Sequence, residues 1–118
     1  MDMADYITQD RNQAWEYEKE CYKLKKQQKD GLKAGTPKDL LALRREHILR
    51  PVVMWLHRAA HRHRIALPNC HVHDVQGVID NLKEFKKHLE DQTELLNEDF
   101  TLKAVNRYLV NALTSKSM

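Results

Sequence analysis

The chain has 118 residues, of which 42% are hydrophobic and 31% are charged, and its formal net charge is +3 at pH 7. That length suits one domain with a modest core, and no apolar run approaches the ~20 residues that span a bilayer, so we expect no membrane segment. Only three glycines and three prolines are available for turns, which favours a few long helices over a sandwich or a barrel. Two cysteines and no apolar leader within residues 1–10 predict a cytoplasmic protein with reduced thiols.

The hydrophobic pattern predicts an all-α fold, a single domain of four to five helices in a compact bundle. Ile7, Ala14 and Cys21 recur every seven residues and predict a long N-terminal helix over residues 5–30. This heptad seam could pack on the rest of the domain or on a second copy of the chain, giving a homodimer. Residues 37–113 then form the main body, and residues 114–118 form a polar tail.

The second helix has a clear start and an ambiguous middle. Thr36 is a good N-cap and Pro37 suits the first helical position, so a helix should begin here. Its apolar stripe continues through Pro51, although an interior proline loses a hydrogen bond and costs ~3 kcal/mol or more. We therefore expect either a kink at Arg50–Pro51 or two helices, over residues 37–49 and 51–64.

The remaining elements follow from caps and stripes. Residues 65–73 are a predicted connector, Asp74 caps a third main helix that ends near residue 96, and Asp99 caps a last helix that reaches residue 113. The apolar stripes predict one shared core, composed of Leu41, Ile48, Val52, Trp55, Val78, Leu82, Phe85, Leu89, Val105 and Leu109.

The positive charge is concentrated in the middle of the chain. Residues 37–73 hold seven Lys and Arg against two Asp and Glu, whereas the counts are seven against seven in residues 1–36 and six against eight in residues 74–118. Such a basic segment indicates contact with a polyanion or an acidic protein surface. Arginine suits phosphate because its planar fork donates two hydrogen bonds at once. The candidate contact residues are Arg44, Arg45, Arg50, Arg58, Arg62 and Arg64.

These observations predict a non-enzymatic protein that acts by binding. The first hypothesis is a small accessory or modulator subunit of a nucleic-acid-handling complex, which contacts phosphate through residues 44–64. The alternative is a protein-directed inhibitor or adaptor that docks on an acidic groove of a host nucleic-acid-processing enzyme. Such an inhibitor could be encoded by a phage. Catalysis is not expected, because no nucleophile, base and orienting group can be named together.

A histidine and cysteine cluster offers a metal hypothesis. His57 and His61 are one helical turn apart, and Cys70 and His73 follow after a turn, so the four could complete a tetrahedral zinc site. Their spacing matches no standard zinc module, however, and ordinary surface histidines are the competing interpretation. We therefore expect no cofactor, and zinc on these four residues is the hypothesis to test.

Three short stretches carry a family resemblance: Tyr6 to Arg11 leading into an aromatic helix, Gly35-Thr36-Pro37 opening the next helix, and Arg107-Tyr108 in the last. In this order they resemble the Gam family of phage proteins, which inhibit the host's recombination nuclease. The resemblance implies a helical nuclease inhibitor. Residues 50–73 have no counterpart in that family, and the family is acidic whereas this chain is basic in its centre, so no residue role is transferred.

Overall fold

A computed structural model of the protein describes residues 3–96, which form three α-helices and no strand. Helix α1 spans Met3–Lys33, α2 spans Lys38–Arg62 and α3 spans Val75–Leu96. The all-α prediction is confirmed for this part of the chain. No helix within it is both long enough and apolar enough to cross a membrane. The predicted helix over residues 100–113, with Val105 and Leu109, lies outside the described residues.

Helix α2 runs through Pro51 without a break, so of the two expected arrangements, a kink at Arg50–Pro51 or two helices, the two-helix arrangement is wrong. This is one reason why three helices, and not four to five, are present in residues 3–96. Pro51 is exposed, and so is His47, whose carbonyl would otherwise accept the missing Pro51 N–H. Water can therefore solvate the freed carbonyl, while Leu49 and Val52 on either side are fully buried and hold the helix against its neighbours.

The turn between α1 and α2 differs from its prediction in detail. Helix α1 continues through Gly31, where an added Cβ would lie 2.7 Å from the Leu41 side chain, so glycine permits the close approach of the two helices. Gly35 then takes the left-handed conformation, with φ 78°. Pro37, and not Thr36, occupies the N-cap position of α2, and no side chain caps the helix there.

Contacts between the helices fix their directions. Arg62 meets Asp10 and Trp55 meets Tyr17, so α2 runs antiparallel to α1. Helix α1 is also antiparallel to α3, because residue numbers fall along α1 as they rise along α3 in the contacts Lys25–Gln76, Tyr22–Lys83 and Glu18–Lys86. Helices α2 and α3 are therefore parallel to each other. The connector, residues 63–74, runs back along the bundle to join the end of α2 to the start of α3.

The core is shared by all three helices and the connector. Trp55 is half-buried, with its ring centroid 5.3 Å from that of Tyr17 and 5.7 Å from that of Phe85. Of the predicted core residues within the described range, Ile48 is also only half-buried, and the neighbouring Leu49 takes the interior position. The seam residues of α1, Ile7, Ala14, Cys21 and Leu24, are buried inside this core. The largest buried side chains are Ile7, Leu24, Leu49, Val52, Leu56, Val78, Ile79, Leu82, Phe85 and Leu89.

Two caps hold the ends of the connector. At the end of α2 the Ile65 N–H bonds to the Ala60 carbonyl at 2.8 Å, the Arg64 N–H bonds to the His61 carbonyl, and Arg64 takes the left-handed φ of 56°. This is the arrangement of a Schellman motif with arginine where glycine is usual. At the start of α3 the Asp74 carboxylate accepts the Gly77 N–H at 2.9 Å, which confirms the predicted cap.

Candidate functional site

The exposed side of α2 carries a mixed apolar and basic surface, which we call the outer face. Its members recur at intervals of three and four, so they share one side of the helix over about 27 Å. Leu43 is 64% exposed, Met54 57% and Leu40 42%, values that are high for large apolar side chains. The outer face consists of Leu40, Leu43, Arg44, His47, Arg50, Met54 and Arg58.

The outer face is basic because almost nothing on it neutralises its arginines. Arg44 and Arg58 are exposed, and neither takes part in an ion pair among the described residues. Arg50 bonds to Glu46 one turn away. Glu46 is the sole acidic residue of positions 40–62, and it is half-buried. A partner approaching this face therefore meets three guanidinium groups among three apolar side chains.

Three of the six predicted contact arginines, Arg45, Arg62 and Arg64, do not belong to this face. Arg62 turns toward α1, where its Nη2 donates to the Asp10 carboxylate at 2.8 Å. Arg45 is half-buried, and its Nε is enclosed without a hydrogen-bond partner among the described residues. Arg64 is exposed and lies one residue beyond the C-cap of α2. Of the six, Arg44, Arg50, Arg58 and Arg64 are exposed and have no ion pair to another described helix.

Asp10, which is not among the residues predicted for the site, joins α1 to the end of α2. The His63 Nε2 lies 2.6 Å from the same carboxylate oxygen that Arg62 contacts, and the His63 side chain is only 1% exposed. The His63 Nδ1 is buried without a partner among the described residues. Asp10 falls three residues after Ile7, the heptad position that Tyr17 and Leu24 fill in the next two repeats. An acidic residue at that seam position was the available clue.

A second buried carboxylate joins α1 to α3. Glu18 is 2% exposed and binds Lys86, whose ammonium also lies 4.6 Å from the centroid of the exposed Trp15 ring. Lys19 lies 5.7 Å from the same ring and pairs with Glu16. The two ammonium groups over the Trp15 ring, those of Lys19 and Lys86, are therefore already paired with carboxylates, unlike Arg44 and Arg58. This aromatic surface is a weaker candidate for binding anions than the outer face.

The predicted zinc ligands are only partly brought together. The Cys70 Sγ lies 3.6 Å from the His57 Nε2, and His61 lines the same pocket, which has a volume of about 200 Å³. His73 does not line this pocket and is exposed. Within residues 3–96, no group of three or more histidine, cysteine or acidic side chains is already arranged to hold a metal ion. The four-residue set with His73 therefore does not assemble.

The environment of Cys70 favours its protonated thiol, which is a weaker nucleophile than the thiolate. Burial raises the pKa of Cys70, and the nearby Asp74 charge adds to this effect, although a backbone hydrogen bond acts against it. At neutral pH the S–H proton therefore stays on sulfur, and the Sγ atom lies 3.6 Å from the His57 Nε2. No described carboxylate bonds to His57, so the pair lacks the orienting group of a catalytic triad.

Comparison with known proteins adds no relative: no protein-family model, curated protein or solved structure matches this chain. The resemblance to the Gam family stays a prediction. Its first stretch, Tyr6 to Arg11, lies in α1, its second forms the α1–α2 turn, and its third lies outside the described residues.

Proposed function

We propose that this protein is a non-enzymatic adaptor or inhibitor that docks the outer face of α2 on an acidic surface of a protein partner. The observation that carries the proposal is the placement of Leu40, Leu43 and Met54 among the arginines on one uninterrupted helix. Exposed apolar side chains gain free energy only when a partner covers them, whereas a phosphate backbone needs cations alone. A partner groove with apolar positions and an acidic rim satisfies both features.

The charges and the apolar side chains have separate roles in this proposal. Arg44 and Arg58, being exposed and unpaired with described carboxylates, attract an acidic surface from a distance and raise the association rate. Leu43 and Met54 then lose contact with water in the complex, which slows dissociation. Arg64, in the left-handed conformation just beyond the C-cap of α2, adds one more exposed cation at that end of the helix.

A second candidate function, contact with nucleic-acid phosphate, is favoured by one observation. The guanidinium groups of Arg44 and Arg58 are not engaged with described acids and could donate paired hydrogen bonds to phosphate oxygens. In that case binding would depend on the arginines and would be indifferent to the apolar side chains. This difference separates the two candidates.

The test compares two variants against three probes. The first variant is Leu43→Ser with Met54→Ser, and the second is Arg44→Gln with Arg58→Gln. The probes are a helical peptide with leucine along one side and glutamate elsewhere, a polyglutamate of equal charge, and short single- and double-stranded DNA and RNA. Lys26→Gln with Lys87→Gln is the matched control, because it removes two exposed cations from other helices.

Docking on a protein predicts that the leucine–glutamate peptide binds more tightly than polyglutamate. The serine variant should lower the affinity for that peptide by about tenfold or more, since each apolar side chain contributes on the order of 1 kcal/mol to binding when partly covered. The glutamine variant should mainly slow association, and the lysine control should change affinity by less than about twofold. Tight nucleic-acid binding that the serine variant leaves intact, with a log–log salt slope of about 0.7 to 0.9 per contact, would favour the second candidate.

A further inference from the structure

We propose that the pocket between the end of α2 and the connector receives one bulky apolar side chain of the protein partner, and that the partner segment on the outer face is an acidic amphipathic helix. The inference rests on the proposed docking function, because it concerns the same partner. No residue of the outer face lines this pocket, however, so substitutions can alter the pocket and leave the outer face intact.

The pocket lies where the stripe of the outer face ends. His57 and His61 line it, both are exposed, and they continue the alternating four- and three-residue spacing that runs from Leu43 to Met54. Two helices packed as a coiled coil meet along a stripe with this spacing. The distance along α2 from Leu43 to the pocket is about 24 Å, which equals roughly 16 residues of a partner helix. A helix that covers Leu43 and Met54 therefore reaches the pocket with one end.

The size of the pocket selects a single side chain. Its volume is about 200 Å³. A cavity of about 150 Å³ holds a benzene molecule, whereas sites for small-molecule ligands usually enclose about 300 to 1,000 Å³. One leucine, methionine or phenylalanine side chain therefore fits, and a free ligand of ordinary size does not.

The apolar walls of the pocket are held in place by the core. Leu56 and Ala60 of α2 and Ile65 of the connector line it and are buried, and Leu67 is half-buried and packs against the core cluster. Such a wall is already formed before a partner arrives, so binding loses little free energy to ordering it. Apolar side chains that enter preformed pockets are the contacts that most often dominate the affinity of an interface.

The charge around the pocket selects an acidic occupant. No acidic side chain lines the pocket. Arg58 and Arg64 are exposed and are the chain neighbours of His57 and Ile65. A second copy of the chain docking here would bring its own basic stripe against this one, and like charges repel. A helix with glutamate or aspartate beside its apolar residues is attracted instead.

The experiment fills the pocket and measures binding of the leucine–glutamate peptide, made about 21 residues long so that it spans from Leu43 to the pocket. Ala60→Leu places a larger side chain in the pocket and should lower the affinity by about tenfold or more, mainly through faster dissociation. The affinity for polyglutamate should not change, because no charge is altered. Ala66→Leu is the matched control, since Ala66 is exposed and lines a neighbouring pocket, and it should change the affinity by less than about twofold.

A second measurement needs no substitution, which covers the case in which Ala60→Leu folds poorly. In the wild-type complex, NMR should show nuclear Overhauser contacts between leucine methyl groups of the peptide and the methyl groups of Ala60, Ile65 and Leu67. A peptide that binds without these contacts, or that binds folded Ala60→Leu as tightly as wild type, would overturn the anchor and leave docking on the outer face intact. Failure of the wild-type protein to bind the peptide would overturn both proposals. Contacts of the same methyl groups with a second copy of the chain would overturn the choice of occupant.

Discussion

Arg58 and Arg62 are the same residue type one turn apart on the same helix, yet they occupy different environments. Arg58 projects from the outer face into solvent and pairs with no described carboxylate. Arg62 bonds to Asp10 of α1, which also holds the buried His63. The difference arises because α1 places a carboxylate beside one position and not beside the other. A cluster of basic residues in a sequence is thus divided by its neighbours into structural cations and cations available to a partner.

The fold supplies a counter-charge to each of its buried carboxylates among the described residues. Asp10 and Glu18 each receive a cation from another helix. The buried Cys21 of α1 has no cation beside it among these residues. Burial raises the pKa of its thiol from 9.0 to about 12, and the negative charges of Glu20 and Glu18 add to the rise. The thiolate of Cys21 would therefore be an uncompensated interior charge.

The largest effect is expected when Cys21 is forced to ionise. Its folded pKa exceeds its unfolded pKa, so the thiol favours folding below pH 9, and this contribution is lost as the unfolded chain gives up its proton between pH 9 and about 12. The loss approaches about 1.4 kcal/mol per pH unit in that window. Urea unfolding of wild type and Cys21→Ala from pH 8 to 11 measures the difference, and equal pH slopes for the two proteins would refute it.

Asp10→Ala should lower the free energy of unfolding by about 2 to 3 kcal/mol, because it leaves the buried His63 ring and the Arg62 guanidinium without their acceptor. Glu20→Ala is the matched control, since it removes an exposed acid from the same helix and should change stability by less than about 0.5 kcal/mol. Urea denaturation at pH 7 reports both values. Equal stability of the two variants would show that the Asp10 contacts contribute nothing.

The two arginines themselves provide the next test. Arg62→Ala should destabilise the protein by about 1 to 2 kcal/mol, which allows for the partial exposure of its ion pair, and Arg58→Ala by less than about 0.5 kcal/mol. Binding of the leucine–glutamate peptide should show the opposite order, with Arg58→Ala the more harmful. Thermal melts of the two variants compare their stabilities, and peptide titrations compare their affinities. Identical melting temperatures would show that Arg62 contributes no more to stability than Arg58.

The smallest effect concerns Arg64. Because its left-handed φ of 56° strains any residue with a Cβ, Arg64→Gly should stabilise the folded state by about 1 kcal/mol. The same change should weaken binding to acidic probes slightly, as one cation at the edge of the basic surface is lost. Arg64→Ala, which removes the charge but keeps the strain, is the control. A glycine variant no more stable than the alanine variant would contradict the strain argument.

The sequence predicts the local structure well and the partners of individual side chains poorly. The stripe of α3 and the Asp74 cap depend on neighbours in sequence, and both are confirmed. The continuity of α2 through Pro51 depends on tertiary burial of Leu49 and Val52, which local propensity does not contain.

The candidate site shows the same division. Clustering of the arginines was visible in the sequence, but the pairing of Arg62 with Asp10 spans 52 residues and required the antiparallel packing of α1 and α2. The meeting of His57 with Cys70 was predicted as half of a metal set. The exclusion of His73 depends on the path of the connector, which no periodicity encodes.

The most direct test of the outer face is a map of where an acidic amphipathic partner binds. Amide chemical shifts of the isotopically labelled protein are followed by NMR as the leucine–glutamate peptide is added. Docking on the outer face predicts that the largest chemical-shift changes occur at Leu40, Leu43, His47, Met54 and Arg58, which are spaced three and four residues apart. The amide shifts of Asp10, Arg62 and His63 should stay unchanged. Changes centred on the Trp15 surface, or none along α2 at saturating peptide, would contradict the account.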